Sequence, residues 1–233
     1  MIEIKDIYGN VIYTSEIDET LNEALCRAVK QGADLRYADI RYADLRYANL
    51  QDARLQGADL RYADLRYADL WHANLWCANL WHADLRYAVL QGADLRYADL
   101  RYANLRYANL QDARLQDADL RYADLYVPLH CPSHGDFIGW KKVNNCIIKL
   151  LIPEDAKRLS ATTNKCRCDK AKVLEITDIS NGEQKEFIIN TNYVVTKYEV
   201  GKIVKPDSFD ENRWNECSNG IHFFINKEDA IRY

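Results

Sequence analysis

The feature that most limits the possible folds of this chain is a five-residue repeat. From Ala33 to Leu125 the sequence reads Ala-Asp/Asn-Leu-x-x through 19 successive units, with three exceptions at the second place. Alanine occupies its place in all 19 units, the large apolar place is leucine in 18 and isoleucine in one, at Ile40, and the x-x pair is Arg-Tyr in ten. A period of five matches neither a helix nor a plain strand, so the repeat predicts a solenoid.

Alanine and leucine are two residues apart within a unit, so on an extended backbone they point to the same side. The x-x pair then turns a corner, and each unit becomes one side of a coil. A single coil cannot bury its leucine, whereas coils stacked about 4.8 Å apart bury all of them and pair their backbones. Residues 31–66 match residues 91–126 at 32 of 36 positions, an offset of twelve units. That offset allows coils of either three or four units.

The pattern resembles the pentapeptide repeat family, whose units read A(D/N)LXX. The resemblance covers residues 31–127 and implies a right-handed quadrilateral β-helix with four units in each coil. Arg54, Val89 and Arg114 depart from the pattern, because they replace its Asp or Asn. The fold class we expect is therefore mainly β, with stacked inward columns such as Leu45, Leu65, Leu85, Leu105 and Leu125.

Residues 1–30 predict a cap on the first coil. Residues 2–5 and 11–13 flank a turn at Tyr8-Gly9-Asn10 and predict a β-hairpin. Residues 18–30 predict an amphipathic helix with Ser15 or Asp18 as its N-cap. Open solenoid ends are bare strand edges that invite aggregation, so covered ends are expected. At the other end Pro128 cannot donate to the ladder, and we expect the repeat to stop there.

Residues 128–140 are expected to be a linker and residues 141–233 a small α+β domain. Strands are predicted at 146–151, 171–176, 187–189 and 193–200. A short helix is predicted after Pro153, and a last helix at 227–233 with Asn226 as its N-cap. The segments 153–158, 165–168 and 216–224 look like recurrent stretches of a domain that often follows pentapeptide repeats in bacterial proteins. This second resemblance implies a domain that follows the repeat in the chain, and it implies no particular activity.

The outward columns of arginine and tyrosine are the first candidate binding surface. Interleaved arginine and tyrosine can bind phosphates and stacked bases. The candidate residues are Arg41, Tyr42, Arg61, Tyr62, Arg101 and Tyr102. The alternative is self-neutralisation, because residues 31–127 hold 12 Arg and 14 Asp with no Lys or Glu. We favour self-neutralisation, since stacked like charges repel and nearby columns of opposite sign offset that repulsion. Arg54 and Arg114 would pair in the same way with an aspartate of the preceding coil.

The second candidate is an aromatic girdle of Trp71, Trp76 and Trp81, which hold the same outward place on three successive units. The residues that follow them are His72, Cys77 and His82. On a four-sided coil these side chains diverge, so the pattern does not favour a metal site. Exposed aromatic residues favour a contact surface for a partner or for the capping region.

The C-terminal region offers weaker candidates for chemistry. A zinc site on Cys166 and Cys168 would need further ligands from His130, Cys131, His134, Cys217 and His222. Their spacing matches no known zinc pattern. Cys217 and His222 are a conceivable nucleophile pair, yet no third group is visible that would orient them. Because the sequence also lacks a P-loop, a dinucleotide fingerprint and a nucleophile elbow, we expect no enzyme activity, cofactor or metal.

The sequence thus favours a non-catalytic protein-interaction scaffold with an unidentified protein partner. The first alternative is a DNA-mimicking topoisomerase modulator, which is the activity that the family resemblance implies. Such mimicry needs a strongly negative surface, whereas 12 Arg against 14 Asp leave the repeat at −2. The second alternative is an enzyme or metal-binding activity in residues 141–233.

Location and assembly are further expectations from the sequence. The start lacks the features of a signal peptide, and the seven cysteines are then expected to be reduced thiols in a cytoplasm. No run of 18 apolar residues predicts a membrane span. Covered solenoid ends favour a monomer, and the balanced charge makes nucleic acid an unlikely partner.

Overall fold

The structure is a computed structural model, and it describes residues 1–127, 129–191, 195–215 and 218–233. The chain forms two compact units, residues 1–127 and residues 128–233. Both are mainly β in structure. None of the helices in the described ranges is long and apolar enough to cross a bilayer.

The first unit begins with a hairpin of β1 (Ile2–Lys5) and β2 (Val11–Ser15), followed by helix α1 (Leu21–Lys30). The helix starts later than predicted, and neither predicted N-cap is used. Thr20 is the N-cap, because its side chain and that of Glu23 satisfy each other's backbone N–H groups in a capping box. Ser15 instead ends β2, where its hydroxyl donates to the Glu19 carboxylate.

The hairpin and helix contact the first coil of the repeat. The Asp39 N–H donates to the Lys5 carbonyl at 2.8 Å, and the Ile7 N–H donates to the Tyr37 carbonyl at 2.8 Å. From α1, the Asn22 side-chain amide donates to the Arg46 carbonyl at 3.0 Å. Backbone groups at the start of the repeat therefore have partners within residues 1–30.

The repeat is a stack of coils that each contain four units. Parallel bridges join residues 20 positions apart, such as Asp44 with Asp64 and Asp64 with Asp84. The Leu65 N–H donates to the Asp84 carbonyl at 2.8 Å, and the Asp84 N–H donates to the Ala63 carbonyl at 3.0 Å. A coil of four units is thus observed where the sequence offset also allowed three.

The inward positions are filled by alanine and leucine, as predicted. Every alanine and every large apolar residue of the repeat is buried from Leu35 to Leu105. Leu65 and Leu85 are both 0% exposed, and Ile40 is 1% exposed. Because a buried leucine contributes about 2 kcal/mol, the column of inward leucines is a major source of stability for this unit.

The second unit contains nine strands and one helix within its described residues. The strands are β3 (Phe137–Val143), β4 (Cys146–Ile152), β5 (Arg158–Ser160), β6 (Lys165–Cys168), β7 (Ala171–Asp178), β8 (Phe187–Asn190), β9 (Thr196–Glu199), β10 (Ile203–Val204) and β11 (Ile221–Phe224). Seven form an antiparallel sheet in the order β10-β7-β4-β3-β11-β6-β5, and β8 pairs with β9. Helix α2 (Lys227–Arg232) follows the N-cap Asn226, as predicted.

The second unit corrects the expectation of a linker at 128–140 followed by a domain that starts at residue 141. The segment predicted as a linker, residues 128–140, contains the start of β3 at Phe137. Cys131 from the same segment is buried in the core of this unit. The partly buried Phe137 side chain on β3 packs against that core. The sheet therefore begins before residue 141, where the domain was predicted to start. Pro128, where we expected the repeat to end, lies outside the described residues.

Three other predictions in this unit need correction. Pro153 begins a single turn and not a helix. The Arg158 guanidinium donates to the carbonyls of Pro153 and Glu154, which in a longer helix would accept from backbone N–H groups. The strand predicted at 193–200 is observed at Thr196–Glu199, and residues 193 and 194 lie outside the described ranges. Strands β3, β5, β6, β10 and β11 were not predicted at all.

Candidate functional site

The corners of the repeat are tight turns that place tyrosine in an unusual backbone conformation. In each turn the alanine N–H donates to the carbonyl of the leucine three residues before it, at 3.1 Å for Ala48 and Leu45. The second x residue has a positive φ, 58° at Tyr42 and 60° at Tyr47. Glycine is the usual residue at such a position. Tyrosine there carries a strain of about 1–2 kcal/mol, which must be offset by its contacts.

Those contacts are ring stacks along the solenoid, which we call the tyrosine columns. Their members are Tyr42, Tyr62, His82, Tyr102 and Tyr122 in one column and Tyr47, Tyr67, Tyr87 and Tyr107 in the other. Ring centroids of neighbours lie 4.8–5.2 Å apart, and their planes differ by 3–13°. Such pairs contribute about 0.5–1.5 kcal/mol each.

The stacking decides what the tyrosine columns can bind. Tyr62 and Tyr102 each have a ring on both faces, so their exposed parts are ring edges and hydroxyls. A nucleic-acid base needs a free ring face for stacking. The interior rings of the columns therefore do not provide the base-binding platform that the sequence pattern allowed.

We expect the Tyr67→Ala substitution to cost roughly 1–3 kcal/mol of stability, because it removes stacking on both Tyr47 and Tyr87. The Tyr67→Gly variant should be more stable than Tyr67→Ala by about 1 kcal/mol, since glycine relieves the positive φ. Urea unfolding followed by circular dichroism measures both. As a control, Tyr97→Ala should cost less, because the Tyr97 ring has a T-shaped contact with Trp76 at 6.1 Å and no parallel stack. Equal stability of both Tyr67 variants would contradict the strain argument.

The arginines are held by aspartates of the same unit. Nine of the ten Arg-Tyr units, all within the described range 31–127, place Asp two residues before Arg, and the Arg side chain donates to both carboxylate oxygens. For example, Arg66 Nη2 lies 2.6 Å from Asp64 Oδ2. Arg66 Nε also lies 3.7 Å from Asp84 Oδ2 of the next coil. Arg41 and Arg101 contact an aspartate of the next coil in the same way, at 3.6 Å. The columns therefore contain ion-pair ladders, interrupted at Trp81 in one column and at Asn104 in the other, as self-neutralisation predicts.

Arg54 and Arg114 were predicted to pair with an aspartate of the preceding coil. Arg114 Nη1 lies 3.8 Å from Asp94 Oδ2. Arg54 contributes to lowering the pKa of Asp34, although the hydrogen bond from Arg36 is the larger cause. Arg114 thus contacts the predicted aspartate, whereas Arg54 acts on Asp34 only through this smaller effect on its pKa.

The ladder lowers aspartate pKa values, and this predicts a pH dependence. The Arg46 side chain, followed by the Arg46 backbone N–H, lowers the pKa of Asp44 from an ordinary value of 3.8 to about 2. A carboxyl with a lowered pKa stabilises the folded state above its unfolded pKa, and this contribution is lost as the pH falls through the folded value. We therefore expect the melting temperature of the repeat to be constant from about pH 7 to 5 and to fall between about pH 4 and 2.

The Arg46→Gln variant provides the site-specific measurement. An NMR titration of the Asp44 carboxyl should show its pKa rising toward 3.8, because the bidentate partner is removed. The matched control is Arg106→Gln, since Arg106 belongs to the one Arg-Tyr unit with Asn104 in place of Asp. A pKa of Asp44 that stays near 2 in Arg46→Gln would contradict the assignment of its cause.

The aromatic girdle differs from the ladders in its partners. Trp76 and Trp81 follow Asn74 and Asn79, so the aspartate and the arginine of the usual unit are both replaced. Each asparagine side-chain oxygen accepts from the backbone N–H of its tryptophan at 3.1 Å. Trp71 is 39% exposed and Trp76 is 41% exposed. At Trp76 and Trp81 the Asp–Arg pair of the ladders is therefore replaced. The indole groups of Trp71 and Trp76 are partly exposed.

The neighbours of the tryptophans do not form a metal site. Trp71 packs edge-on against His72 at 4.0 Å, and Trp81 packs edge-on against His82 at 4.3 Å. His82 lies within a tyrosine column between Tyr62 and Tyr102. Among the residues that the structure describes, no three His, Cys, Asp or Glu side chains are placed to hold a metal ion.

The candidate thiols of the second unit are buried in its core. Cys131 is 3% exposed, and Cys166 and Cys168 are 0% exposed on β6. A hydrogen bond with the Cys166 thiol lowers the pKa of Cys131. Burial raises the pKa of Cys168 to about 12, which makes it a poor nucleophile. Cys217, proposed as a ligand or nucleophile, lies outside the described residues.

The candidate histidines differ in their surroundings. Burial, with Lys165 and Lys141 nearby, lowers the pKa of His222 to about 3, so the ring is neutral at pH 7. His134 Nδ1 lies 2.8 Å from the Ser133 hydroxyl, and the His130 backbone N–H donates to Ser160 Oγ at 2.7 Å. A cavity lined in part by Ser160 has a volume of about 10 Å³, room for about one water molecule.

Sequence reasoning missed two features of these surfaces. The first is that the tyrosine rings cover one another's faces. This stacking depends on a coil of four units, and the spacing of the repeat alone also allowed a coil of three. The asparagines before Trp76 and Trp81 were also overlooked. Their signal was present in the sequence, because nine of the ten Arg-Tyr units carry Asp while these two Trp-containing units carry Asn.

Two protein families match the chain. Residues 31–66, 63–101 and 98–126 match the family described as Pentapeptide repeats (8 copies). Residues 127–230 match the description Family of unknown function (DUF5758). No protein among the curated ones matches the chain. The first family match confirms the resemblance seen in residues 31–127.

Several solved structures are similar to part of the chain. HetL, a pentapeptide repeat protein involved in heterocyst differentiation regulation from Nostoc sp. strain PCC 7120, is 42% identical over 40% of this chain and 47% of its own, with a TM-score of 0.21. A second Nostoc PCC 7120 pentapeptide repeat protein is 42% identical over 46% and 88%, with a TM-score of 0.38. Rfr23 from Cyanothece 51142 is 35% identical over 38% and 64%, with a TM-score of 0.26. The chain thus spans less than half the length of HetL.

Proposed function

We propose that this protein is a non-catalytic scaffold that binds a protein partner. Residues 31–126 belong to the pentapeptide repeat family and residues 127–230 to a domain family of unknown function, and neither match names a catalytic activity. In this proposal the repeat is a right-handed quadrilateral β-helix, and residues 1–30 cap the first coil. The proposal includes a monomeric chain in the cytoplasm.

The observation that carries this proposal is the contrast between the aromatic girdle and the ladders. Arginine and aspartate satisfy each other in the columns, and tyrosine rings cover each other's faces. Trp71 and Trp76 keep about two fifths of their surface exposed in the middle of the stack. Exposed tryptophan is a frequent energetic centre of protein interfaces, because it buries a large apolar area with little loss of conformational entropy.

The same contacts disfavour imitation of DNA. A DNA mimic presents unpaired negative charges at regular spacing. Here Asp64 and Asp84 each accept a bidentate bond from arginine, so the columns are close to neutral. The proposed partner surface is therefore aromatic and not electrostatic.

The test restores the common Asp-x-Arg unit at the girdle. A variant with Trp71→Arg, Trp76→Arg and Trp81→Arg, combined with Asn74→Asp and Asn79→Asp, gives all three units the ladder pairing. We expect its melting temperature to stay within a few degrees of wild type, and partners crosslinked in a lysate of the source organism to be lost. The control variant carries Arg61→Gln and Arg101→Gln with Asp59→Asn and Asp99→Asn, and should keep those partners. Loss in the control with retention in the girdle variant would overturn the assignment.

A further inference from the structure

One face of the seven-stranded sheet combines lysines with partly exposed apolar side chains. Register pairs join Ile138 on β3 to Leu151 on β4, Leu151 to Lys172 on β7, and Lys172 to Ile203 on β10. Facing residues of neighbouring strands point to the same side of a sheet, so these four form one row across four strands. The opposite side of the same strands carries the buried core residues, including Leu150 and Val173.

A second row lies beside the first. Trp140 on β3 pairs with Lys149 on β4, which pairs with Glu175 on β7. Between the rows, Leu174 occupies the extra position at the irregularity of β7 and is 36% exposed. We call Ile138, Lys149, Leu151, Lys172, Leu174 and Ile203 the basic sheet face.

Helix α2 covers a different part of the sheet. The Lys142 ammonium donates to the Ile231 carbonyl at 2.9 Å, which ties the helix to β3. Toward β10 the sheet is more open, and Ile203 is 61% exposed. An apolar row that ends in such an exposed side chain is typical of a contact surface when charged groups surround it.

The charge on the basic sheet face is positive, because Lys149 and Lys172 outnumber Glu175, which lies opposite Lys149 on β7. In the described part of the second unit, ion pairs to carboxylates are made by Lys157, Lys170, Lys185 and Lys197. Lys149 and Lys172 are not among those pairs. Glu175 is the carboxylate of the second row, and it accepts hydrogen bonds from Thr177 at 2.8 Å and Gln184 at 3.2 Å. The lysines are thus available to carboxylates from outside the chain.

We propose that the basic sheet face binds an acidic amphipathic helix of a partner protein. Four strands about 4.8 Å apart give a width of roughly 14 Å, which suits one helix of about 10 Å diameter. The apolar stripe of such a helix buries against Ile138, Leu151 and Ile203, and its flanking carboxylates pair with Lys149 and Lys172. This surface is separate from the aromatic girdle, so each of the two surfaces can fail without the other.

The aromatic residue beside this face argues against a nucleic-acid ligand. The ammonium groups of Lys149 and Lys227 lie 5.8 Å and 5.0 Å from the centre of the Trp140 ring. Such cation–π contacts occupy the ring that a base would need for stacking.

The test uses the whole chain and a fluorescently labelled amphipathic peptide built from leucine and glutamate. We expect the peptide to bind wild type in a fluorescence anisotropy titration, with an affinity that falls as salt rises. The Lys149→Glu/Lys172→Glu variant should bind at least tenfold more weakly, because each lysine is replaced by a carboxylate that repels the peptide. Ile203→Ser should also weaken binding, by removing apolar contact. Lys197→Glu, a charge reversal on β9, is the matched control and should bind like wild type.

Two results would overturn the proposal. One is equal binding of the peptide to wild type and to Lys149→Glu/Lys172→Glu, with melting temperatures that show both to be folded. The other is a preference for a leucine–lysine peptide or for an oligo-dT strand over the leucine–glutamate peptide. Retention of lysate partners by a girdle variant would leave this result unaffected, because the comparison of wild type with Lys149→Glu/Lys172→Glu changes side chains of the second unit only.

Discussion

Replacing Leu85 with lysine is expected to abolish cooperative folding of the repeat. Leu85 is 0% exposed, and its column neighbours Leu65 and Leu105 are 0% and 2% exposed. An ammonium group at this position would be buried among apolar side chains. An uncompensated buried charge of this kind costs about 3–5 kcal/mol. Loss of the leucine adds about 2 kcal/mol. Since whole domains are stable by about 5–15 kcal/mol, the repeat should unfold in its middle coils.

Circular dichroism melting of the full chain measures this effect, and Leu65→Lys should behave in the same way. The matched control is Leu85→Met, which keeps the apolar character and should cost less than about 1.5 kcal/mol. A second control is Arg86→Lys, which places the same ammonium group one residue away on the outside. A Leu85→Lys variant that melts cooperatively near wild type would show that the inward assignment is wrong.

Replacing Arg158 with leucine should have the largest effect in the second unit. Arg158 is 9% exposed, and its guanidinium donates to five backbone carbonyls, those of Pro132, Gly135, Pro153, Glu154 and Ala156. It also lies over the Phe137 ring at 5.1 Å. Leucine fills part of the volume but removes the Arg158 donors from these carbonyls, although Pro153 keeps its bond from the Ala156 N–H, so we expect a loss of about 3–5 kcal/mol.

Urea unfolding followed through the amide NMR signals of β4 and β7 reports on this unit. Arg158→Lys should recover less than half of the loss, because an ammonium group cannot reproduce the planar fork that reaches five acceptors. The neighbouring Lys157→Ala is the control and should cost less than about 1 kcal/mol, since Lys157 and its partner Glu211 are 59% and 69% exposed. An Arg158→Leu variant within about 1 kcal/mol of wild type would contradict the structural role.

The repeat could be predicted from sequence because its signal recurs 19 times. Each Ala-x-Leu pair indicates which residues point inward, and neighbouring units support the same assignment. The size of the coil could not be derived from spacing alone, because an offset of twelve units divides evenly into coils of three or of four. The family resemblance supplied the four-unit coil, and the parallel bridges show it.

The second unit was harder to predict because its strands are short and its local signals conflict. In β6, Lys165 and Arg167 alternate with Cys166 and Cys168, and the cysteines drew attention as ligands although they are inward strand residues. Arg158 was noted only as the last residue of the segment 153–158. Its burial depends on carbonyls from segments up to 26 residues away, and no local pattern encodes such contacts.

The candidate surfaces were predicted in part. The aromatic girdle and the ion-pair ladders follow from the repeat once columns are drawn. The covered tyrosine faces depend on rings 5.0 Å apart at Tyr42 and Tyr62, which requires coordinates. The basic sheet face was not predicted, because β3 and β10 were not identified and the register between the predicted strands β4 and β7 requires coordinates.

The central claim is that residues 20 positions apart are neighbours in the stack, and hydrogen-bond scalar couplings measured by NMR test it most directly. In a deuterated sample, we expect the Leu65 amide nitrogen to couple to the Asp84 carbonyl carbon, across the bond of 2.8 Å. The Asp84 amide should couple to the Ala63 carbonyl. Coupling of the Leu65 amide to Asn79, one unit earlier than Asp84, or to a carbonyl within its own helical turn would contradict the four-unit coil.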